Sequence, residues 1–97
     1  MVARESNAIL GNRYYGPMLL YLADHDGCMM SDLYRNVAGG RSMPDVLDGL
    51  EKAGTIARMK DGRVTRINLT AKGTTMGRML KEAEAIFLEA RTWPIPV

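Results

Sequence analysis

The sequence has one cysteine and one histidine in 97 residues, and each scarcity closes off a class of function. A single thiol cannot form an internal disulfide, and without a second Cys or His no zinc ligand set drawn from two segments can be completed. Eight methionines and no apolar h-region near the start set the expectation of an intracellular, cytoplasmic protein rather than a secreted one. No apolar run approaches the roughly 18–20 residues of a membrane span, so no membrane partner is expected. Repeats and low-complexity tracts are lacking as well. No G-x-S-x-G, P-loop or Rossmann glycine pattern occurs, and His25 with Cys28 lacks an orienting partner and an oxyanion hole, so neither an enzyme nor a cofactor is expected. Strong charge of one sign is missing too. Thirteen basic against eleven acidic residues leave a net +2, too little to name a partner, so the placement of the charges must carry the information.

What is present fits one domain over 1–97, with 46% hydrophobic and 25% charged residues. A chain of this size buries only about 60–65% of the surface it would expose unfolded, which favours a partner subunit. Ala3 to Leu10 has a weak helical pattern ended by Gly11-Asn12. Gly16-Pro17 reads as the start of a first core helix, with Met18, Leu19 and Leu22 on one side and a stop at Asp24-His25-Asp26-Gly27. Ser31 can cap a second helix over Asp32 to Val37. The turn Ala38-Gly39-Gly40-Arg41 leads into Ser42-Met43-Pro44-Asp45, an S-x-x-D helix start with proline in the first turn. Val46, Leu47, Leu50 and Ala53 form the stripe of this third helix, and Gly54 suits the position after its end. Two short helices across a glycine-containing turn make a helix-turn-helix candidate.

Thr55 to Lys60 and Arg63 to Leu69 flank Asp61-Gly62, which predicts a hairpin with a two-residue turn. That turn sets Lys60 opposite Arg63, Arg58 opposite Thr65 and Ile56 opposite Ile67, giving a face that is apolar at its base and basic at its tip. Such a tip suits an anionic partner. Thr70 caps a last helix over 71–91, ahead of Trp93-Pro94-Ile95-Pro96. Its stripe Met76, Leu80, Ala83, Phe87 and Ala90 is spaced 4, 3, 4 and 3, widened by Met79 and Ile86. This helix, roughly 30 Å long, exceeds what so small a domain covers, so part of the stripe is expected to meet a second copy.

The string Leu50-Glu51-Lys52-Ala53-Gly54-Thr55-Ile56-Ala57-Arg58, then Asp61-Gly62-Arg63 and Leu69-Thr70-Ala71-Lys72-Gly73, resembles winged-helix transcription regulators of the MarR-like and PadR-like kind. The resemblance covers about residues 15–75 and rests on three motifs in order. It implies an α+β, mostly helical fold: a winged helix-turn-helix over 15–70, with a three-helix core and two-stranded wing, followed by the long C-terminal helix. It further implies a homodimer that binds double-stranded DNA sequence-specifically. By position, Arg41, Ser42 and Met43 would open the recognition helix in the major groove. Arg63 would be the wing-tip arginine at the minor groove or its phosphates, with Lys60, Arg58 and Arg66 as auxiliary phosphate contacts.

The charges divide unevenly over these elements. Residues 42–54 carry Asp45, Asp48 and Glu51 against Lys52, a net of −2, while 55–68 carry Arg58, Lys60, Arg63 and Arg66 against Asp61, a net of +3. Asp45 can serve the helix N-terminus and Glu51 can face the first helix or the preceding turn, but Asp48 would meet phosphate repulsion in a groove. A second reading is therefore a winged-helix protein-interaction module whose acidic third helix docks a basic partner. The bland reading of the wing is a solvated, charged hairpin edge. Met29, Met30, Met43, Met59, Met76 and Met79 could line a pocket for a small-molecule effector, though core and dimer packing accounts for them more simply. Tyr14, Tyr15, Tyr21 and Tyr34 read as half-buried packing rather than stacking platforms. Asp24-His25-Asp26-Gly27-Cys28 reads as an interhelical turn before it reads as a metal or thiol-sensing site.

Overall fold

The computed structural model describes residues 9–37 and 42–89. The helical pattern over 3–8, the turn over 38–41 with Arg41, and Ala90 with the Trp93-Pro94-Ile95-Pro96 end lie outside the described residues. A 3-10 turn, Ile9–Gly11, precedes α1 (Tyr15–Asp24), β1 (Cys28–Met29), α2 (Met30–Asn36), α3 (Ser42–Lys52), β2 (Ile56–Asp61), β3 (Val64–Leu69) and α4 (Ala71–Phe87).

The helix ends follow from local hydrogen bonding. α1 starts at Tyr15, ahead of the predicted Gly16-Pro17 start, and Pro17 falls in the first turn, where an N–H would lack a helical acceptor. α2 starts at Met30 rather than Asp32, because Asp32 and not Ser31 organises its entry: the Asp32 carboxylate accepts from the Met29 N–H at 3.2 Å. α3 closes as predicted at Gly54, whose φ of +80° allows its N–H and that of Thr55 to donate to the Glu51 and Leu50 carbonyls at 2.9 and 3.0 Å. Thr70 caps α4 by accepting from the Gly73 N–H at 3.1 Å.

The two-stranded wing forms as expected, and a short third strand extends it into a sheet. It has three antiparallel strands in the order β1-β3-β2, with Cys28 opposite Ile67 and Met29 opposite Arg66 on the added edge. The hairpin register differs. Asp61 pairs with Val64, Lys60 with Thr65, Arg58 with Ile67 and Ile56 with Leu69, so the turn is Gly62-Arg63 rather than Asp61-Gly62. Gly62 takes φ +66° and among the described residues no non-glycine has positive φ, which is the sign pattern of a II′ turn with glycine first. Moving the pairing by two residues keeps every side chain on its expected face.

The core joins Met18, Leu19 and Leu22 of α1, Leu33 of α2, Met43, Val46, Leu47 and Leu50 of α3, and Ile56 and Ile67 of the hairpin. Thr55 is buried with its polar groups satisfied: its hydroxyl donates to the Leu50 carbonyl at 2.7 Å and its carbonyl accepts from the Thr70 N–H at 3.0 Å. α4 seats on this core through two glycines. A Cβ on Gly73 would collide with the Thr55 carbonyl, and one on Gly77 would press on Ala23 and the Leu19 carbonyl at 3.3 Å. Lys81 pairs with Asp24 one turn further on. Beyond that point α4 leaves the body, and Phe87 and Leu88 are 85% and 69% exposed. The predicted dimer stripe therefore divides: Met76 and Leu80 pack against the chain's own core, whereas Ala83 and Phe87 face outward. Among the described residues no helix is long and apolar enough to cross a membrane.

Candidate nucleic-acid interface

The hairpin carries its polarity along its length. Ile56 and Ile67 anchor the base in the core, while Lys60, Asp61, Gly62 and Arg63 at the tip are all exposed. Strand alternation puts Ile56, Arg58 and Lys60 on one face, and Met59 and Asp61 on the other with Arg66. A tip of this kind projects cations where a large anionic partner can reach them.

The four predicted wing cations fall into two pairs. Arg66 is held within the protein, donating from Nε to Asp61 Oδ2 at 2.8 Å and from Nη1 to the Gly27 carbonyl at 3.1 Å. Arg58 turns to α3, donating from Nε to Glu51 Oε1 at 3.0 Å and from Nη2 to Asp48 Oδ1 at 2.8 Å. Its hydrogen bonds to Glu51, then to Asp48, hold the guanidinium even more firmly charged than usual. Lys60 and Arg63 have no ion-pair partner among the described residues. The cations open to a new anion are thus the two at the tip.

These contacts give a role to Asp48, the acid for which the sequence offers none. Asp48 and Glu51 lie one turn apart on the exposed side of α3, and the strand that follows brings Arg58 against both. Glu51 accordingly faces the wing base, not the first helix. Sequence spacing could not show this, because the contact depends on how β2 crosses α3. Asp45 is exposed in the first turn of α3, where the helix dipole favours an acid.

Of the residues expected to open the recognition helix, Arg41 lies outside the described residues and Ser42 is the first residue of α3. Met43 is a correction: it is 0% exposed and belongs to the core with Val46, Leu47 and Leu50, so it anchors α3 rather than reading a base edge. The i, i+3, i+4, i+7 spacing from Met43 to Leu50 is the signal that identifies it as core. The exposed side of α3 is Pro44, Asp45, Asp48, Glu51 and Lys52.

The remaining clusters make contacts within the fold. In the Asp24 to Cys28 turn, Gly27 has φ +83° and donates to the Ile67 carbonyl at 2.9 Å, while Asp26 Oδ1 accepts from the Leu69 N–H at 2.8 Å, tying α1 to β3. His25 stacks on Tyr21 with ring centroids 4.2 Å apart. Burial pushes the Cys28 thiol up, with Asp32 and Asp26 adding to the rise, the opposite of an activated thiolate. Among the described residues no group of three His, Cys, Asp or Glu could hold a metal ion. The methionines are dispersed: Met43 is core and Met59 and Met79 are exposed, and a cleft of about 240 Å³ between α1, α3 and α4, lined by Ile9, Leu19, Leu50 and Ala53, has Met76 as its one methionine.

No protein-family model and no curated protein sequence matches the chain. Solved structures do. F-93 of SSV1 is 26% identical over 74% of this chain and 86% of its own, with a TM-score of 0.64. FabT of Streptococcus pneumoniae, solved in complex with DNA, is 22% identical over 87% of this chain, with a TM-score of 0.67. A MarR transcriptional regulator from Methanosarcina mazei Go1 is 23% identical over 79% of this chain, with a TM-score of 0.65. The chain spans 65% of the FabT chain and 57% of the Methanosarcina one. The three-helix core, three-stranded sheet and following helix are thus the winged-helix fold of MarR-type transcription regulators.

Proposed function

We propose that this winged-helix chain is a DNA-binding transcription regulator that acts as a homodimer on double-stranded DNA. The observation that carries the reading is the wing tip: Lys60 and Arg63 stand at the end of the hairpin, exposed and without an ion-pair partner among the described residues. Phosphate contacts from such cations supply affinity and register, and base-edge contacts supply sequence choice. In this reading the exposed side of α3 lies along a major groove and the tip touches the adjacent backbone or minor groove. The DNA complex of FabT, with the same fold, supports the choice of partner. The outward end of α4, with Ile86, Phe87 and Leu88 exposed, would supply the dimer contact. The cleft between α1, α3 and α4 offers a small apolar effector contact with both the groove-facing helix and the dimer helix.

Fluorescence anisotropy of a labelled duplex, titrated at several salt concentrations, tests the reading. Log K should fall linearly with log salt, and Arg63→Ala and Lys60→Ala should each flatten the slope by about 0.9 for every phosphate they leave unneutralised. Affinity and slope left unchanged by both substitutions would refute the wing assignment.

A further inference from the structure

By position in the wing Arg58 should join the cations that touch phosphate, yet its guanidinium is engaged inside the protein. Nε and Nη2 bridge Glu51 and Asp48, two acids from the side of α3 that is open to solvent. The Arg58 side chain is 30% exposed, against 63% for Asp48 and 41% for Glu51, so the cation lies beneath the acids rather than above them. Its backbone is fixed by pairing with Ile67, whose side chain is fully buried. Without this cation α3 would present Asp45, Asp48 and Glu51 to any partner with only Lys52 in compensation.

Resting on the DNA-binding reading above, we propose that Arg58 is a positioning residue and not a phosphate ligand: it is the internal counter-ion that lets the acidic α3 approach DNA and fixes the wing to that helix. Three consequences follow from the geometry. The repulsion between α3 and phosphate is lowered at its source, because two carboxylates share one guanidinium. The wing and α3, which meet DNA together, are joined by an arginine that bridges two carboxylates rather than by backbone alone. The phosphate contacts of the wing fall to the tip residues Lys60 and Arg63, since Arg66 is likewise bound to Asp61 and the Gly27 carbonyl.

A substitution cycle on the full chain separates the two roles, read by anisotropy on a random-sequence labelled duplex at low salt. Arg58→Met keeps the aliphatic stem and removes the charge. In the wild-type background it should weaken binding roughly three- to tenfold, the range that one or two partly exposed charge interactions supply. In the Asp48→Asn/Glu51→Gln background, which should itself bind more tightly than wild type, Arg58→Met should cost less than about twofold, because nothing remains for the cation to neutralise. A phosphate ligand would behave oppositely, its removal costing as much or more once the competing carboxylates are gone, and that result would overturn the counter-ion role. A denaturation cycle on the same variants without DNA should show coupling between position 58 and the two acids, and additive effects there would also overturn it. If the wild type binds no duplex at any salt concentration, the DNA-binding reading fails and this role fails with it, whereas binding with additive substitutions removes the counter-ion role alone.

Discussion

Phe87 offers a direct test of the proposed dimer, because its ring is 85% exposed at the outward end of α4, beside Ile86 and Leu88 at 50% and 69%. An apolar cluster of this kind on a helix that has left its own core gains by meeting a copy of itself across a two-fold axis. A phenylalanine ring buries about 160 Å² when fully covered, which at about 25 cal/mol per Å² corresponds to about 4 kcal/mol. Half coverage near a helix end leaves about 2 kcal/mol per ring, and a symmetric dimer contains the ring twice, so Phe87→Ala should cost about 4 kcal/mol of association. That is about a thousandfold in dimer Kd. Sedimentation velocity through the micromolar range should show a dimeric wild type, a Phe87→Ala variant shifted far toward monomer, and unchanged unfolding of each protomer's core. Met59→Glu, on the 56%-exposed methionine of the wing, is the control and should leave association as it was. Leu80 is a poorer choice, because it packs on the chain's own core and its replacement would confound folding with assembly. A monomeric wild type throughout, or a Phe87→Ala variant indistinguishable from it, would refute the dimer argument.

Three further outcomes follow from the packing and the ion pairs. Met43→Ala should destabilise the fold by about 2–5 kcal/mol in urea unfolding, as for other fully buried large-to-small changes, and an effect on DNA sequence preference without loss of stability would return Met43 to the groove. Gly73→Ala should destabilise by about 1–3 kcal/mol, since the new methyl must displace the Thr55 carbonyl and with it the start of β2, and a neutral result would mean that α4 can lift off without cost. The hydrogen bond from Lys81 holds the Asp24 carboxyl below its usual value, so this pair stabilises the fold above the unfolded-state carboxylate pKa and its contribution fades as pH falls toward the lowered folded value. Lys81→Met should therefore narrow the difference in thermal stability between neutral and acidic pH, most visibly at low salt, and an unchanged pH profile would discount the pair.

Much of the architecture was legible because local chemistry and fold agree. The Gly54 closure, the Thr70 cap and the apolar spacing of α3 and α4 each specify an element without knowledge of the rest. The resemblance carried by the Leu50 to Arg58 string and the Asp61-Gly62-Arg63 tip led to the winged-helix fold. What sequence hid was tertiary or too short to leave a pattern. β1 has two residues and exists because β3 offers it a ladder, so no alternation could announce it. The turn lies one residue later than expected: Asp61 ends β2, diagonal to its ion-pair partner Arg66, and Gly62 takes the first turn position with positive φ. At the site, the cationic hairpin tip with Lys60 and Arg63 was legible in the sequence, although Arg63 lies in the turn rather than opposite Lys60. The engagement of Arg58 with α3 could not, because its partners lie seven and ten residues back along the chain. Met43 shows the converse: its core spacing was present in the sequence, and position at a helix start obscured it.

If the wing tip and the exposed side of α3 together form the surface that meets DNA, that surface can be mapped residue by residue. Amide chemical shifts of isotopically labelled protein, followed while a duplex is titrated in, provide the map. The largest shifts are expected at Lys60, Gly62 and Arg63 and along Asp45 to Lys52, with the amides of Met79 and Ile86 on α4 unmoved by direct contact. Shifts confined to α4, or none at the wing under conditions where DNA is bound, would contradict this placement of the DNA.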